Sequence, residues 1–204
     1  MVMNFYCIFD CFSIFMILGM IKGSREILVD FTTIDNLNDW MEMSDTVRTV
    51  GMSKAVLTLQ TTQVFQRAIF FTLLCPQING AGFAGVRKRT NLNLLNFKNI
   101  EITCRGQGSN KNYKVVLRDN GHHTNEDITY EQIFTAPMSN TIFSTVVLPL
   151  ANFKAYYRGR GIPDAKQLDI GNITMLGLQV YGGVYSKVKQ SGVSSLEIEN
   201  ITLS

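Results

Sequence analysis

Three charged residues have the chemistry and the local setting to hold a ligand. Arg87 and Arg105 would each end a strand beside a glycine-rich loop. A guanidinium donates several N–H groups in a planar fork, so two of them converging at one rim of the fold would hold a carboxylate or a sugar hydroxyl. Asp45 is the third candidate. The alternative is that the arginines are structural and pair with Asp45 or Asp119.

Residues suited to catalysis or metal binding are scarce. The sequence has two histidines, His122 and His123, and both lie in one polar loop of turn-forming residues. Adjacent histidines point apart in extended chain, which favours a solvated loop over a metal site. No Gly-x-Ser-x-Gly or His-Glu-x-x-His motif is present. We therefore expect a non-enzyme with no catalytic residues, metal or cofactor.

The segment 80–89 is predicted to be a glycine-rich approach to a buried strand. Gly82, Ala84 and Gly85 leave room for another backbone or a large ring to approach closely. A phosphate-binding loop would need glycines that open a helix, whereas Val86 and Arg87 continue as a strand. Phosphate binding by this loop is therefore not expected.

Composition indicates one globular domain. The chain has 204 residues, of which 46% are hydrophobic and 17% charged, enough for a sizeable core. The net charge of +3 is too small, and the basic residues too scattered, to predict nucleic-acid binding. Two basic clusters, at 87–89 and 158–160, are interpreted as solvated ends of loops.

Residues 1–24 have a different character from the rest. Residues 1–21 are almost all apolar and are followed by Lys22-Gly23-Ser24, which is typical of a secretory signal peptide cleaved near Gly23. The alternative is a buried N-terminal segment. The predicted mature domain, 25–204, would contain no stable membrane span, and the predicted location is the secretory pathway or the extracellular space.

Two further features bear on the same location. Asn172 and Asn200 each begin an Asn-Ile-Thr sequon and are candidate N-glycosylation sites. After cleavage, Cys75 and Cys104 would be the remaining cysteines and could form a disulfide if their Cα atoms lay within about 7 Å. Two reduced cysteines in the core are the alternative.

Alternation of apolar and polar residues predicts a series of strands. Turn-forming Gly, Asn and Pro separate the runs, and β-branched and aromatic residues are abundant in them. Residues 34–41 are the best candidate for a short helix. Glu197 and Glu199 would face outward into solvent, Tyr113 and Tyr130 would be half-buried, and Trp40 would belong to the core. We predict an all-β antiparallel sandwich or jelly roll with strands at 27–31, 55–60, 68–74, 83–87, 100–104, 113–118, 130–134, 141–148, 173–181 and 196–201.

An ordered set of short motifs resembles one known family. The motifs that carry the resemblance are, in order, Asp30-Phe31, Trp40, Ser44-Asp45, 51–55, 82–87, 104–108, Tyr113, Leu148-Pro149, Phe153, Arg158-Gly159, 176–178 and 196–198. Through them the chain resembles the complex I intermediate-associated protein 30 domain over roughly 27–203. The resemblance implies a galactose-binding-like β-sandwich. It also implies a non-enzymatic assembly chaperone for respiratory complex I, with a protein partner and a mitochondrial location. The alternative is a secreted or lumenal module that binds a glycan or a protein.

Overall fold

The computed structural model describes residues 25–122, 124 and 127–204. Two short 3₁₀ turns, Asp45–Val47 and Leu150–Asn152, accompany the strands. The strands are β1 Glu26–Asp30, β2 Trp40–Glu42, β3 Lys54–Thr61, β4 Gln66–Leu74, β5 Phe83–Leu92, β6 Asn99–Gly108, β7 Asn112–Asp119, β8 Thr129–Thr135, β9 Ser144–Pro149, β10 Lys154–Tyr157, β11 Arg160–Gly161, β12 Ile173–Tyr181 and β13 Gly192–Leu203.

The strands form two antiparallel sheets that pack face to face. The first sheet has the order β3-β4-β13-β6-β9, and β1 pairs with the end of β13. The second has the order β11-β10-β8-β7-β12-β5-β2. Some neighbouring strands are consecutive in the chain, such as β3 and β4, whereas others are distant in sequence, as in the pairing of β12 with both β5 and β7. The predicted all-β antiparallel sandwich is confirmed.

The core lies between the two sheets. Alternate residues of each strand point inward, and burying a large aliphatic side chain contributes about 1.5–3 kcal/mol relative to leaving it exposed. Three aromatic rings cross the interior. Phe70 of the first sheet packs edge-on against Tyr113 of the second, with centroids 6.2 Å apart, and Tyr113 stacks on Phe134 at 6.0 Å. The Phe70–Tyr113 contact joins the two sheets, and the Tyr113–Phe134 contact joins neighbouring strands of the second sheet.

Every predicted strand is present, but the short helix is not. Residues 34–41 form turns and the start of β2. The side chain of Asn36 accepts a hydrogen bond from the N–H of Asn38, which favours a turn, and Trp40 then pairs with Lys88 of β5. Strands β2, β10 and β11 were not predicted. They are two to four residues long, too short to show alternation.

Two tyrosines are more buried than predicted. Tyr113 is 1% exposed and Tyr130 6% exposed, because β7 and β8 lie inside the second sheet. The hydroxyl of Tyr130 donates to the carbonyl of Lys166. Trp40 packs partly buried against the core beside Phe31, with ring centroids 6.1 Å apart.

Some sequence predictions fall outside the described residues. These are the signal peptide at 1–24, its cleavage near Gly23, and His123 of the polar loop. In the part of the chain that the structure describes, no helix has the length and apolar character needed to cross a membrane.

Two adjacent phenylalanines test the sandwich. Phe70 is fully buried, whereas Phe71 points outward from the same strand and is 44% exposed. Replacing Phe70 by alanine leaves a cavity between the sheets and should lower the free energy of unfolding by about 3–5 kcal/mol. Phe71→Ala should lower it by less than about 1 kcal/mol. Urea denaturation of both variants measures the difference, and equal losses would contradict this packing.

Candidate functional site

A cleft of about 280 Å³ lies on the outer face of the second sheet. Its floor consists of outward-facing residues from β5, β12, β7 and β8. Its walls are residues 80–83 and 183–186 on one side and Tyr156, Arg158 and Gly159 on the other. The cleft therefore runs across the middle of a sheet whose opposite face is the core.

Two glycines keep the floor of the cleft open. Gly85 and Gly177 lie on the neighbouring strands β5 and β12, both facing outward. A Cβ atom at Gly85 would lie 2.7 Å from the carbonyl oxygen of Leu178, and one at Gly177 would lie 3.0 Å from that of Val86. A side chain at either position would fill the cleft and displace the adjoining strand.

A buried ion pair occupies one part of the floor. The Nζ of Lys114 lies 2.6 Å from Oε2 of Glu131, and their side chains are only 9% and 8% exposed. The hydroxyl of Thr129 donates to the other carboxylate oxygen of Glu131 at 2.9 Å. The Tyr181 ring lies 5.6 Å from the Lys114 ammonium, within range of a cation–π interaction. Both oxygens of Glu131 are thus engaged within the protein.

Arg118 is the most deeply buried cation of the floor. It is 3% exposed, and its Nε and Nη1 atoms have no hydrogen-bond partner among the described residues. Burial, and after it the nearby positive charge of Arg87, lower the pKa of Arg118 to about 10, although the charges of Asp127 and Glu131 oppose this shift. Burial also lowers the pKa of Arg87. Both guanidinium groups remain charged at neutral pH.

Hydrogen bonds hold one wall of the cleft in place. The Lys189 ammonium donates to the carbonyls of Asn79 at 3.2 Å and Gly183 at 2.7 Å, joining the two loops that form this wall. The next residue, Gln190, bonds through its side chain to the backbone of Asn112 and Tyr181. The wall is therefore attached to the neighbouring strands β7 and β12 at one end of the floor.

The structure does not bring Arg87 and Arg105 together. Arg87 lines the cleft, whereas Arg105 lies on the outer face of the first sheet, on the opposite side of the molecule. There Arg105 and Arg67 both contact Glu197, at 2.9 and 2.8 Å. The phenyl ring of Phe143 lies 4.7 Å from the Arg105 guanidinium. Glu197 is 6% exposed, so the expectation that it is solvated was wrong.

Asp45 is buried at the start of the cleft wall. Its carboxylate accepts hydrogen bonds from the N–H and hydroxyl of Ser53, both at 2.8 Å, and from the N–H of Phe83 at 3.3 Å. It is 5% exposed and does not pair with either arginine. Asp119 is also occupied, accepting from the N–H of Asp169 at 2.8 Å. Asp45 therefore fixes the loops around the entry to β5.

The two described cysteines are free thiols and form no disulfide. Cys104 pairs with Ile198 of β13, whereas Leu74, just before Cys75, pairs with Gly192. Six residues of strand separate these positions, about 20 Å, far beyond the reach of a disulfide. Burial raises the pKa of Cys104 to about 12, so its thiol stays protonated.

The two sequons differ in setting. Asn172 lies in a turn, and its side-chain amide donates to Asn120. Asn200 lies within β13, half-buried between β1 and β6. His122 lies 3.6 Å from the carboxylate of Asp119, and no cluster of metal-ligating side chains occurs within 25–122, 124 and 127–204.

Several cleft residues were not predicted. Lys114 and Arg118 alternate with the buried residues of β7, and Glu131 holds the equivalent outward position on β8. The alternation of apolar and charged residues along β7 and β8 was visible in the sequence, and it placed Lys114, Arg118 and Glu131 on the outer face of the sheet. Their burial was not visible, because it depends on walls contributed by distant loops. Tyr156 and Tyr181 were missed for the same reason.

The fold defines a galactose-binding-like β-sandwich of the kind found in carbohydrate-binding modules. A family 11 carbohydrate-binding module from Clostridium thermocellum, solved in complex with a β-1,3-1,4-mixed-linked tetrasaccharide, superposes with a TM-score of 0.62 at 15% identity, covering 88% of this chain and 94% of the module. A family 30 module of a cellulosomal cellulase from the same organism has a TM-score of 0.54 at 11% identity, covering 87% and 98%. These likenesses concern the fold.

Sequence comparison assigns the family. Residues 29–198 match the Complex I intermediate-associated protein 30 (CIA30) family, and the chain belongs to it. An uncharacterized protein of Schizosaccharomyces pombe is 32% identical over 145 residues, which span 66% of this chain and 64% of that protein. The match therefore spans slightly less than two thirds of the relative.

Asp45 provides a test of the loop structure beside the cleft. Asp45→Ala leaves the buried N–H groups of Ser53 and Phe83 without an acceptor and should lower the free energy of unfolding by about 2–3 kcal/mol. Asp39→Ala is the control, because the side chain of Asp39 is 82% exposed and its ion pair with Lys88 is long at 4.0 Å and contributes little to stability. Thermal unfolding should show a lower midpoint only for Asp45→Ala. An unchanged midpoint would contradict a structural role.

Proposed function

We propose that this protein is a non-enzymatic binding domain whose cleft on the second sheet binds a saccharide chain. The observation that carries the proposal is the cleft itself, which combines an open glycine floor, tyrosine rings and fixed polar groups. Binding sites for small molecules are concave, with a few polar groups that fix the ligand's orientation. A cleft that runs across a sheet also suits an extended saccharide better than a compact ligand.

The tyrosines suit sugar recognition. Tyr156 and Tyr181 are partly buried, and Tyr185 is 68% exposed at the edge of the cleft. A tyrosine offers a flat apolar face to the C–H groups of a sugar ring and a hydroxyl at its edge. The family 11 module, which has the same fold, was solved with a tetrasaccharide. That complex supports a saccharide as the ligand class for this chain.

A protein-assembly role is the second candidate, and a different surface favours it. The outer face of the first sheet exposes an apolar patch formed by Val56, Phe71, Leu73 and Val193, each 44–62% exposed. Leu73 pairs directly with Val193, and Phe71 with Val56, so the patch is continuous. Exposed apolar patches mark protein-interaction surfaces. The family's name links it to intermediates of complex I, so the partner would be such an intermediate in mitochondria.

Adjacent tyrosines test the saccharide proposal. Tyr156 lines the cleft, whereas Tyr157 does not. In affinity electrophoresis against soluble neutral and acidic polysaccharides, the wild-type chain should be retarded by at least one. Tyr156→Ala should weaken that interaction roughly tenfold, equivalent to about 1.4 kcal/mol, and Tyr157→Ala should change it little. Absence of retardation by every polysaccharide would reject a saccharide ligand.

Fractionation of cells tests the assembly role. The full chain with a C-terminal tag should then co-purify with complex I intermediates from mitochondria, and the double variant Leu73→Ser/Val193→Ser should lose them. Val147→Ser, at another exposed position of the first sheet, is the control. The result that would contradict this role is a change in electrophoretic mobility when the wild-type chain is treated with a glycosidase, and the loss of that change in Asn172→Gln or Asn200→Gln. Such a chain would lie in the secretory pathway, and the complex I role would be rejected.

A further inference from the structure

Strand β3 forms a long open edge of the first sheet. It pairs with β4 along all eight of its residues, and no other strand of the described residues pairs with it. The other strands that pair on one side only, β1, β2, β9 and β11, have two to six residues. A long edge strand presents a row of backbone groups with which another strand can pair, so proteins usually keep their edges short or charged.

Two hydrogen bonds show which backbone groups of β3 face the open edge. The N–H of Ala55 donates to Oε1 of Glu42 at 3.0 Å, away from β4. At the turn into β4, the N–H of Thr62 donates to the carbonyl of Phe65 at 2.9 Å. In an antiparallel pair, the backbone groups of successive residues point alternately toward the neighbouring strand and away from it. The odd-numbered residues of β3 therefore direct their N–H and C=O groups toward the open edge.

Most of these outward groups are unpaired. Glu42 accepts from the N–H of Ala55, but no group of the described residues hydrogen-bonds to the outward N–H and C=O of Leu57, Leu59 or Thr61. Charge does not protect this edge either. Lys54, the charged residue of β3, forms an ion pair with Glu42 at the beginning of the strand. The edge is therefore open from Leu57 to Thr61.

The side chains of β3 suit a second copy of the same strand in antiparallel orientation. With a two-fold axis at Thr58, Leu57 of each copy would lie opposite Leu59 of the other. Both leucines are half-buried and pack against the core, so this pairing would cover apolar surface that is now exposed. On the outer face, Thr58 would meet Thr58 of the second copy, and Val56 would meet Gln60. No like charges would lie opposite each other, which is the condition for a self-complementary contact.

We propose that this protein forms a two-fold dimer in which the β3 strands of two copies pair and join their first sheets into one. Leu57 and Leu59 of the two copies would exchange four backbone hydrogen bonds. The N–H of Thr61 in each copy would donate to the carbonyl of Ala55 in the other. The dimer goes beyond the proposed function and does not depend on the ligand, because the cleft lies on the second sheet.

Sedimentation equilibrium of the full chain tests the dimer. The wild-type mass should rise reversibly from one chain to two with concentration, since an edge-strand contact is small. Thr58 is exposed, and a charge there would face the same charge in the second copy. Thr58→Lys and Thr58→Glu should each raise the dissociation constant at least about tenfold. An equimolar mixture of the two variants should restore the dimer, because lysine would then lie opposite glutamate.

Two further variants locate the contact. Thr145→Lys is the matched control, because Thr145 is an exposed threonine of β9, the edge strand on the opposite side of the same sheet. It should dimerise as the wild type does. Thr61→Pro removes an N–H that faces the open edge and leaves the hydrogen bonds between β3 and β4 in place. It should weaken the dimer, and urea denaturation of each variant checks that it is folded.

Four results would overturn the proposal. One is a wild-type chain that stays monomeric up to its solubility limit. An oligomer that persists undiminished in both Thr58 variants would place the contact elsewhere in the chain. Failure of their mixture to restore the dimer would reject the two-fold axis at Thr58. Equal weakening by Thr145→Lys would attribute the loss to general surface charge and not to β3.

Discussion

The burial of charge on the outer face of the second sheet is the constraint on which the site depends. The outer face of a sandwich is normally solvated, yet Lys114, Arg118 and Glu131 are only 3–8% exposed there. A buried charge must be paired or it destabilises the fold. Lys114 and Glu131 pair with each other, which also fixes the β7 and β8 portion of the floor. Arg118, in contrast, has two nitrogen atoms without a hydrogen-bond partner among the described residues. The pairing of buried charge is therefore complete at Lys114 and Glu131 and only partial at Arg118.

The sandwich makes this burial possible because both faces of its central strands are covered. Strand β7 is buried along almost its whole length, with Tyr113, Val115 and Leu117 in the core and Lys114, Val116 and Arg118 beneath the cleft. The loops that cover it are anchored by Lys189 and Gln190 on one side and by Asp45 near the start of β5. Rigid walls matter for binding, since a preformed site loses less conformational entropy when a ligand enters. The same hydrogen bonds that stabilise the loops thus preorganise the cleft.

The strands could be predicted from the sequence, and the site only in part. Alternation within a run such as 113–118 is local, so it identifies β7 without knowledge of its neighbours. The cleft depends on β12 lying between β5 and β7. These pairings join residues 54 to 98 positions apart, and no local pattern specifies them. Arg87 was singled out because it follows a glycine-rich loop, and it does line the cleft. Arg118 was overlooked because the alternation within 113–118 identifies an outward position but not its burial. The predicted helix at 34–41 failed because pairing of Trp40 with β5 decided the local conformation.

Arg105 and Arg118 are both buried arginines, one on the outer face of each sheet, and they differ in what surrounds them. Arg105 also has one unpartnered atom, Nε, but its other two nitrogens donate to Glu197 and to the carbonyl of Asn140, and an aromatic ring covers it. Its anion, Glu197, is supplied by the chain itself. Arg118 has two unpartnered nitrogens, lines a cleft of about 280 Å³, and pairs with Met175 of β12. Burial alone therefore does not distinguish a structural arginine from a binding one. The distinction lies in where the counter-charge stands: Glu197 contacts Arg105 directly, whereas Asp127 and Glu131 act on Arg118 through their charge.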